Sequence, residues 1–374
     1  MATMQFSNER PAVWPILKRY ITVFDVPLTL TLFLILSVSC TAMFSAGMDA
    51  PGRFEDHLRN TIIAFVVMWI AACVPPQLLM RFAVPLYTVG IALLIAVAMF
   101  GIVKKGARRW VNIGVVIQPS EIMKIAVPLM LAWFFQKREG SLRWQEFLLA
   151  AILLAIPAGL IMKQPDLGTA VLVMAAGFYV IFLAGLSWKI IFGLAIAGLA
   201  SLPVVWSVLH DYQRQRVMTL IDPTTDPLGK GFHIIQSMIA IGSGGVAGKG
   251  WLSGTQAHLE FIPERTSDFL FAVFSEEFGL IGNCVLLVLY LMLIARGLFI
   301  AANAPTVFSR LMAGAITMIF FTYAFVNMGM VSGILPVVGV PLPFMSYGGT
   351  AFVTLGLGMG ILMSIQRHRK LVQS

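Results

Sequence analysis

The chain has 374 residues, of which 59% are apolar and only 11% charged, with a formal net charge of +9 and a mean hydropathy of +0.88. That balance excludes a soluble globular protein and describes an integral membrane protein. Much of the positive charge is the Lys/Arg excess expected of cytoplasmic loops, so it does not argue for nucleic acid.

About 25 fairly polar residues, without a cleavable signal pattern, precede the first apolar run. Apolar runs then fall at roughly 27–47, 61–74, 82–103, 121–136, 146–162, 167–186, 190–209, 280–300, 311–331 and 348–364. They predict an all-α polytopic bundle of about ten transmembrane helices forming one domain, residues 1–374. Spans 1–7 occupy 27–209, a long extracytoplasmic loop fills 210–267, and spans 8–10 occupy 268–366. An even number of spans puts both termini on one side. That side carries Arg10, Lys18, Arg19, Arg81, Lys137, Arg138, Arg143, Lys189, Arg296, Arg310, Arg367, Arg369 and Lys370, so it is expected to be cytoplasmic. Cys40, Cys73 and Cys284 lie inside apolar runs and read as small packing residues. The five histidines show no metal-ligand spacing.

The opposite side holds Lys104, Lys105, Arg108, Arg109, Lys163, Arg214, Arg216, Lys230, Lys249 and Arg265. Basic residues in outward loops oppose the insertion bias. One reading is a solvated surface; the other is an anionic ligand at the outer membrane face. The first such loop, 104–120, leads into a span that opens with Glu121 and Lys124. They lie one helical turn apart, suited to an ion pair that is either structural or functional. Asp166, just before a span, is an N-cap carboxylate or a site residue.

The segment 210–267 is too long for a turn and carries turn chemistry in DPTTDPLGKG. Its GSGGVAGKG, 242–250, is not a P-loop. Ser243 stands where glycine is required, and Gly250 follows Lys249 where Ser or Thr is required. Glycines there are expected to let the backbone approach another helix or a ligand. The loop 332–349, SGILPVVGVPLPFMSYGG, is too rich in Pro and Gly for a regular helix. It is expected to re-enter and wall a cavity, with Ser346 and Tyr347 as polar contacts.

Residues 258–279, HLEFIPERTSDFLFAVFSEEFG, hold Glu260, Glu264, Asp268, Glu276 and Glu277 in a chain with only 17 acidic residues. Pro263 breaks the backbone. Ser267 is placed to cap a helix starting near Asp268, whose face would carry Ala272, Ser275 and Glu276. Asp268 is then either a general base at the membrane surface or a carboxylate favoured by the helix dipole.

Asn327–Ala351, with Gly333, Pro336, Gly339, Phe344, Ser346, Tyr347, Gly348, Gly349 and Thr350, resembles the signature of the SEDS family (shape, elongation, division and sporulation). FIPERTSDFLFAVFSEEFG, KKGARRW, QPSEIMK and QPDLGTA are similar to that family's other blocks, in its order, over nearly the whole chain. The short N-terminus and compact loops are closer to its elongation branch than to its division branch. One small departure is that Ser267, not Thr, directly precedes Asp268.

The resemblance implies a peptidoglycan glycosyltransferase in the bacterial inner membrane, with its site facing the periplasm. It implies lipid II and a glycan strand on undecaprenyl pyrophosphate as substrates, and a class B penicillin-binding protein and the elongation machinery as partners. The family's essential carboxylate falls on Asp268 and its Glu–Lys pair on Glu121 and Lys124. Arg108, Arg109, Asp166, Arg214, Arg216, Lys249, Glu264, Arg265, Ser346 and Tyr347 complete the candidate substrate- and pyrophosphate-binding set. No cofactor is singled out, and the transfer is either metal-independent or metal-assisted. A divalent cation, Mg or Mn, is compatible with the pyrophosphate, without a dedicated ligand set.

Three rivals stand beside this reading. A lipid-linked sugar flippase would also suit ten spans and intramembrane charge, although it should place polar groups through the midplane. A scaffold for the penicillin-binding partner would not need Asp268 or the basic outer loops. An O-antigen ligase or polymerase is a neighbour in chemistry.

Overall fold

The computed structural model describes residues 23–48, 50–104, 107–112, 116–140, 143–164, 166–208, 214, 218–219, 222, 230–258, 261–262 and 264–372. Helices fall on each of the predicted apolar runs: α1 Val26–Ala46, α2 Arg53–Cys73, α3 Pro76–Phe100, α4 Pro119–Lys137, α5 Trp144–Met162, α6 Leu167–Leu183 and α7 Trp188–Val208. After the long loop come α10 Leu270–Ala302, α11 Val307–Val331 and α12 Gly349–Val372. Helix is the expected answer, because lipid offers no partner to an unpaired backbone N–H or C=O. Among the described residues, seven of these (α1, α2, α3, α5, α10, α11 and α12) are long and apolar enough to cross a membrane. α6 and the Trp188–Val204 part of α7 are apolar but shorter.

The remaining helix, α4, explains itself by its place. Most of its residues are buried all round, against α3, α6 and α11. It can therefore carry Glu121 and Lys124 where a lipid-facing helix could not. α11 and α12 share this centre, with 72% of their apolar windows buried, against 22–39% for α1, α2, α3, α5 and α10. α7 lies at the other extreme, exposed along almost its whole length.

Local signals set the helix ends. Asp25 accepts from Leu28 N–H at 3.1 Å to cap α1 and takes Arg296 of α10 at 2.6 Å, tying two helices together at one end. Thr306 caps α11 through Ser309 N–H at 3.2 Å.

Two of the loops hold structure of their own. The 104–120 loop makes a small antiparallel sheet of β1 Ile102–Lys104, β2 Ala107–Asn112 and β3 Val116–Ile117, paired Ile102 with Trp110 and Val111 with Ile117. It is the only sheet among the described residues. The 210–267 loop contains α8 Lys230–Ser243 and the single turn α9 Thr255–His258. α8 packs on α10, and its Ser237 hydroxyl donates to the Val331 carbonyl at 2.9 Å.

The glycines of 242–250 serve backbone approach. Gly279 breaks α10 with φ 62 and ψ −160. Residues 245–250 pair with that break through Lys249 N–H to Glu276 O (3.0 Å), Gly250 N–H to Glu277 O (3.0 Å) and Leu280 N–H to Gly245 O (2.9 Å). A Cβ on Gly248 would sit 2.1 Å from the Glu277 oxygen, so only glycine fits.

Candidate functional site

Residues 264–269 form a run of turns, and α10 begins at Leu270 with Phe269 at the N-cap and no side-chain cap. The helix does start near Asp268, but the expected Ser267 cap is corrected. Ser267 does not cap; its hydroxyl donates to the Glu264 carboxylate at 2.8 Å, a local bond that competes with helix initiation. Asp268 precedes α10 rather than sharing a face with Ala272, Ser275 and Glu276, and it is half-buried.

Four neighbours fix this turn. Asn327, fully buried in α11, donates from Nδ2 to the carbonyls of Asp268 (2.9 Å) and Val340 (2.7 Å). Tyr347 N–H donates to Thr266 O at 2.8 Å. The His233 ring of α8 stacks on Phe269 with centroids 5.7 Å apart. Gly339 closes the nook with φ 75, and a Cβ there would lie 3.3 Å from Asp268 Oδ2. Three regions that the chain keeps far apart therefore converge on the turn that carries Asp268.

Gly339→Ala is expected to cost about 1–2 kcal/mol of stability through its left-handed backbone. It should lower turnover further by crowding Asp268. Thermal unfolding in detergent, read beside product formation, separates the two effects; unchanged turnover would show that Gly339 does not shape the site.

A second cluster lies beside the same loop. Asp166 is the N-cap of α6, accepting from Thr169 N–H at 3.3 Å, and it also accepts from Gln118 Nε2 at 3.1 Å and pairs with Arg109 at 3.7 Å. The N-cap reading is therefore the one its backbone contact bears out. Gly168 brings this cluster against the loop, since a Cβ there would meet the Val338 oxygen at 2.8 Å.

The Glu121–Lys124 pair forms as the spacing predicts, at 2.6 Å. Lys124 is only 4% exposed, and its Nζ also donates to the Tyr323 hydroxyl at 2.5 Å. Thr354 of α12 reaches the other Glu121 oxygen at 3.4 Å. Tyr323 lies one turn from Asn327 on α11, so this buried pair supports the helix face that holds the Asp268 backbone.

Other predicted residues sit elsewhere. Lys249 pairs with fully buried Glu276 at 2.6 Å, and the same carboxylate accepts from the backbone N–H groups of Thr255 (2.9 Å) and Gln256 (3.1 Å). This knot ties the 249–256 segment to α10. Arg214 donates to the carbonyls of Trp206 (3.1 Å) and Ser207 (2.8 Å), where it holds the end of α7. Ser346 is fully buried and accepts from Leu342 N–H at 3.0 Å, so it braces its own loop. Arg265 is buried and Glu264 exposed. The Arg108 side chain and Arg216 lie outside the described residues.

Tyr347 leads to residues the motifs do not single out. Its hydroxyl reaches Asp56 at 3.5 Å, and the Arg53 guanidinium lies over its ring at 4.8 Å. Arg53 and Asp56 open α2 at the Asp268 end of the bundle. Asn327 is a third. The available signal was an amide inside an otherwise apolar span, which is costly in lipid unless paired. Among the described residues, no three His, Cys, Asp or Glu side chains gather as a metal site.

The family model of the cell cycle proteins FtsW, RodA and SpoVE matches residues 18–371. The peptidoglycan glycosyltransferase MrdB of Escherichia coli K12 is 51% identical over 351 residues, covering 93% of this chain and 95% of that protein. A chain from a peptidoglycan synthase complex, solved to describe the coordination of polymerization and crosslinking, superposes with a TM-score of 0.80 at 32% identity, covering 92% of this chain and 98% of that one. The rod shape determining protein RodA of Thermus thermophilus superposes with a TM-score of 0.70 at 27% identity, covering 92% and 97%.

Proposed function

We propose a mechanism for this chain, which belongs to the FtsW/RodA/SpoVE family of cell cycle proteins and is a peptidoglycan glycosyltransferase. The observation that carries the mechanism is the convergence of α8, α11 and the 332–348 loop on the turn that presents Asp268. The acceptor is lipid II, and the donor is the growing strand on undecaprenyl pyrophosphate. The GlcNAc 4-hydroxyl oxygen attacks the anomeric carbon of the donor MurNAc, and its proton passes to Asp268. The bond from that carbon to the pyrophosphate oxygen breaks, and the lipid pyrophosphate leaves. One displacement inverts an α-linked donor into a β-1,4 glycan.

The leaving group is already good, so the protein's work is base catalysis, alignment and cationic charge. Arg109, 32% exposed on its side chain beside Asp166, and Arg53 above Tyr347 are two cations among the described residues at the Asp268 end. Lys124 is committed to Glu121 and Tyr323, and acts by positioning. A divalent cation, Mg or Mn, enters this reading only as a companion of the substrate pyrophosphate. Apolar grooves between the helices take the isoprenoid tails.

The chain is a multi-pass inner-membrane protein. In our reading its termini are cytoplasmic and Asp268 faces the periplasm, as the Lys/Arg bias indicates. The crosslinking partner is a class B penicillin-binding protein of the elongation machinery. That the relatives are glycosyltransferases weighs against the flippase.

The test is reconstitution. The purified chain and its class B partner, with the partner's transpeptidase blocked, are given lipid II in detergent. A ladder of glycan strands is expected. Transfer of lipid II between leaflets of a vesicle without any ladder would overturn the reading in favour of transport.

A further inference from the structure

At the end of the bundle opposite Asp268, the structure has a cavity of about 420 Å³. That is within the range of small-molecule sites. Four helix ends surround it: the starts of α3 and α11 and the ends of α4 and α12. Three of those helices are long and apolar enough to cross a membrane, which puts the cavity at a membrane boundary. Under the orientation proposed above, that boundary is the cytoplasmic one.

The cavity has two chemical halves. Met80, Phe308 and Ile365 supply apolar wall; Lys137 and His368 supply basic groups, and no lining residue is acidic. Lys137 is exposed and makes no ion pair with a described residue. The nearby carboxylates are engaged. Glu139 accepts from Gln136 Nε2 at 2.8 Å, and Glu146 pairs with Arg138 at 2.5 Å. Gln136 turns its other end across the cavity to accept Phe308 N–H at 2.8 Å, joining α4 to α11. The His368 ring gives its Nδ1–H to the Ser364 carbonyl at 2.8 Å, which fixes the ring at the cavity wall. Exposed Arg81 and Arg310 adjoin the lining residues Met80 and Ser309 in sequence and add basic charge to this end of the bundle.

We propose that this cavity binds an acidic phospholipid of the cytoplasmic leaflet. The phosphate would lie against Lys137 and His368, and the glycerol and first methylenes against Met80, Phe308 and Ile365. Basic pockets between membrane helices on the cytoplasmic side recognise anionic headgroups by this combination of charge and apolar wall. The catalytic chemistry has no use for the cavity, which lies at the far end of α4, α11 and α12 from the Asp268 turn.

The test is equilibrium binding of labelled phosphatidylglycerol and phosphatidylcholine to the full chain in detergent. Phosphatidylglycerol should be preferred. Lys137→Gln, at an exposed position, should weaken it about fivefold, the effect of one lost cation at such a site. Met80→Trp should fill the apolar half and weaken both lipids. Equal binding of the two lipids by wild type, or wild-type binding by Lys137→Gln, would overturn the proposal. Competition by glycerol 3-phosphate as effective as that by the lipid would also overturn it, in favour of a soluble phosphate. The measurement needs neither polymerisation nor a partner, so its failure leaves the glycosyltransferase mechanism standing.

Discussion

Asp268→Asn gives a protein that folds and enters the membrane but makes glycan strands about a hundred- to ten-thousand-fold more slowly, the range set by loss of a general base. The structure makes this substitution discriminating. Had Asp268 capped α10, an asparagine would cap nearly as well and activity would survive. α10 begins beyond it, at Leu270, without a side-chain cap. Its backbone carbonyl is held by Asn327, and that bond does not depend on the side chain. Asparagine keeps the shape and removes only the ability to take a proton. The check is the rate of ladder growth in the reconstituted complex, with thermal unfolding in detergent as the control for folding. A variant that unfolds at the wild-type temperature and polymerises at the wild-type rate would falsify the base assignment and move the search to Asp166 or Glu264.

Much of the architecture was legible because the membrane narrows the choices. Apolar runs had to be helices, and the Glu121–Lys124 spacing had to bring its charges together once α4 formed. The cap of α10 was not legible. A hydroxyl before an aspartate reads as a cap, and only the Ser267–Glu264 bond shows where that hydroxyl goes. Lys249 looked like one more outward cation until buried Glu276, 27 residues away, proved to hold it. Arg214 likewise turned inward to the end of α7. Arg53 carried no motif of its own, and Asn327 only opened the signature segment without being singled out in it. Their importance comes from Asp268 and Tyr347, which reach them only through tertiary contacts. Local spacing predicts what happens within a helix; it does not say which loop a buried amide will hold.

The second large effect is expected at the Glu121–Lys124 pair. Lys124→Met leaves Glu121 in a mostly buried place without its cation, and should cost about 3–5 kcal/mol. The double variant Glu121→Gln, Lys124→Met removes both charges and should recover most of that loss, because the cost of burying them disappears as well. Stability and function should then part. Lys124 also fixes the Tyr323 hydroxyl, and Tyr323 stands one turn below Asn327, which holds the Asp268 and Val340 carbonyls. Releasing Tyr323 lets that face of α11 shift, and a displacement near 1 Å at the base is enough to cost about a hundredfold in rate. The double variant is therefore expected to unfold near the wild-type temperature and still polymerise slowly. Wild-type polymerisation by the double variant would mean that the pair serves stability alone. A single variant as stable as wild type would mean that it serves neither, and Asn327 would have to hold the site unaided.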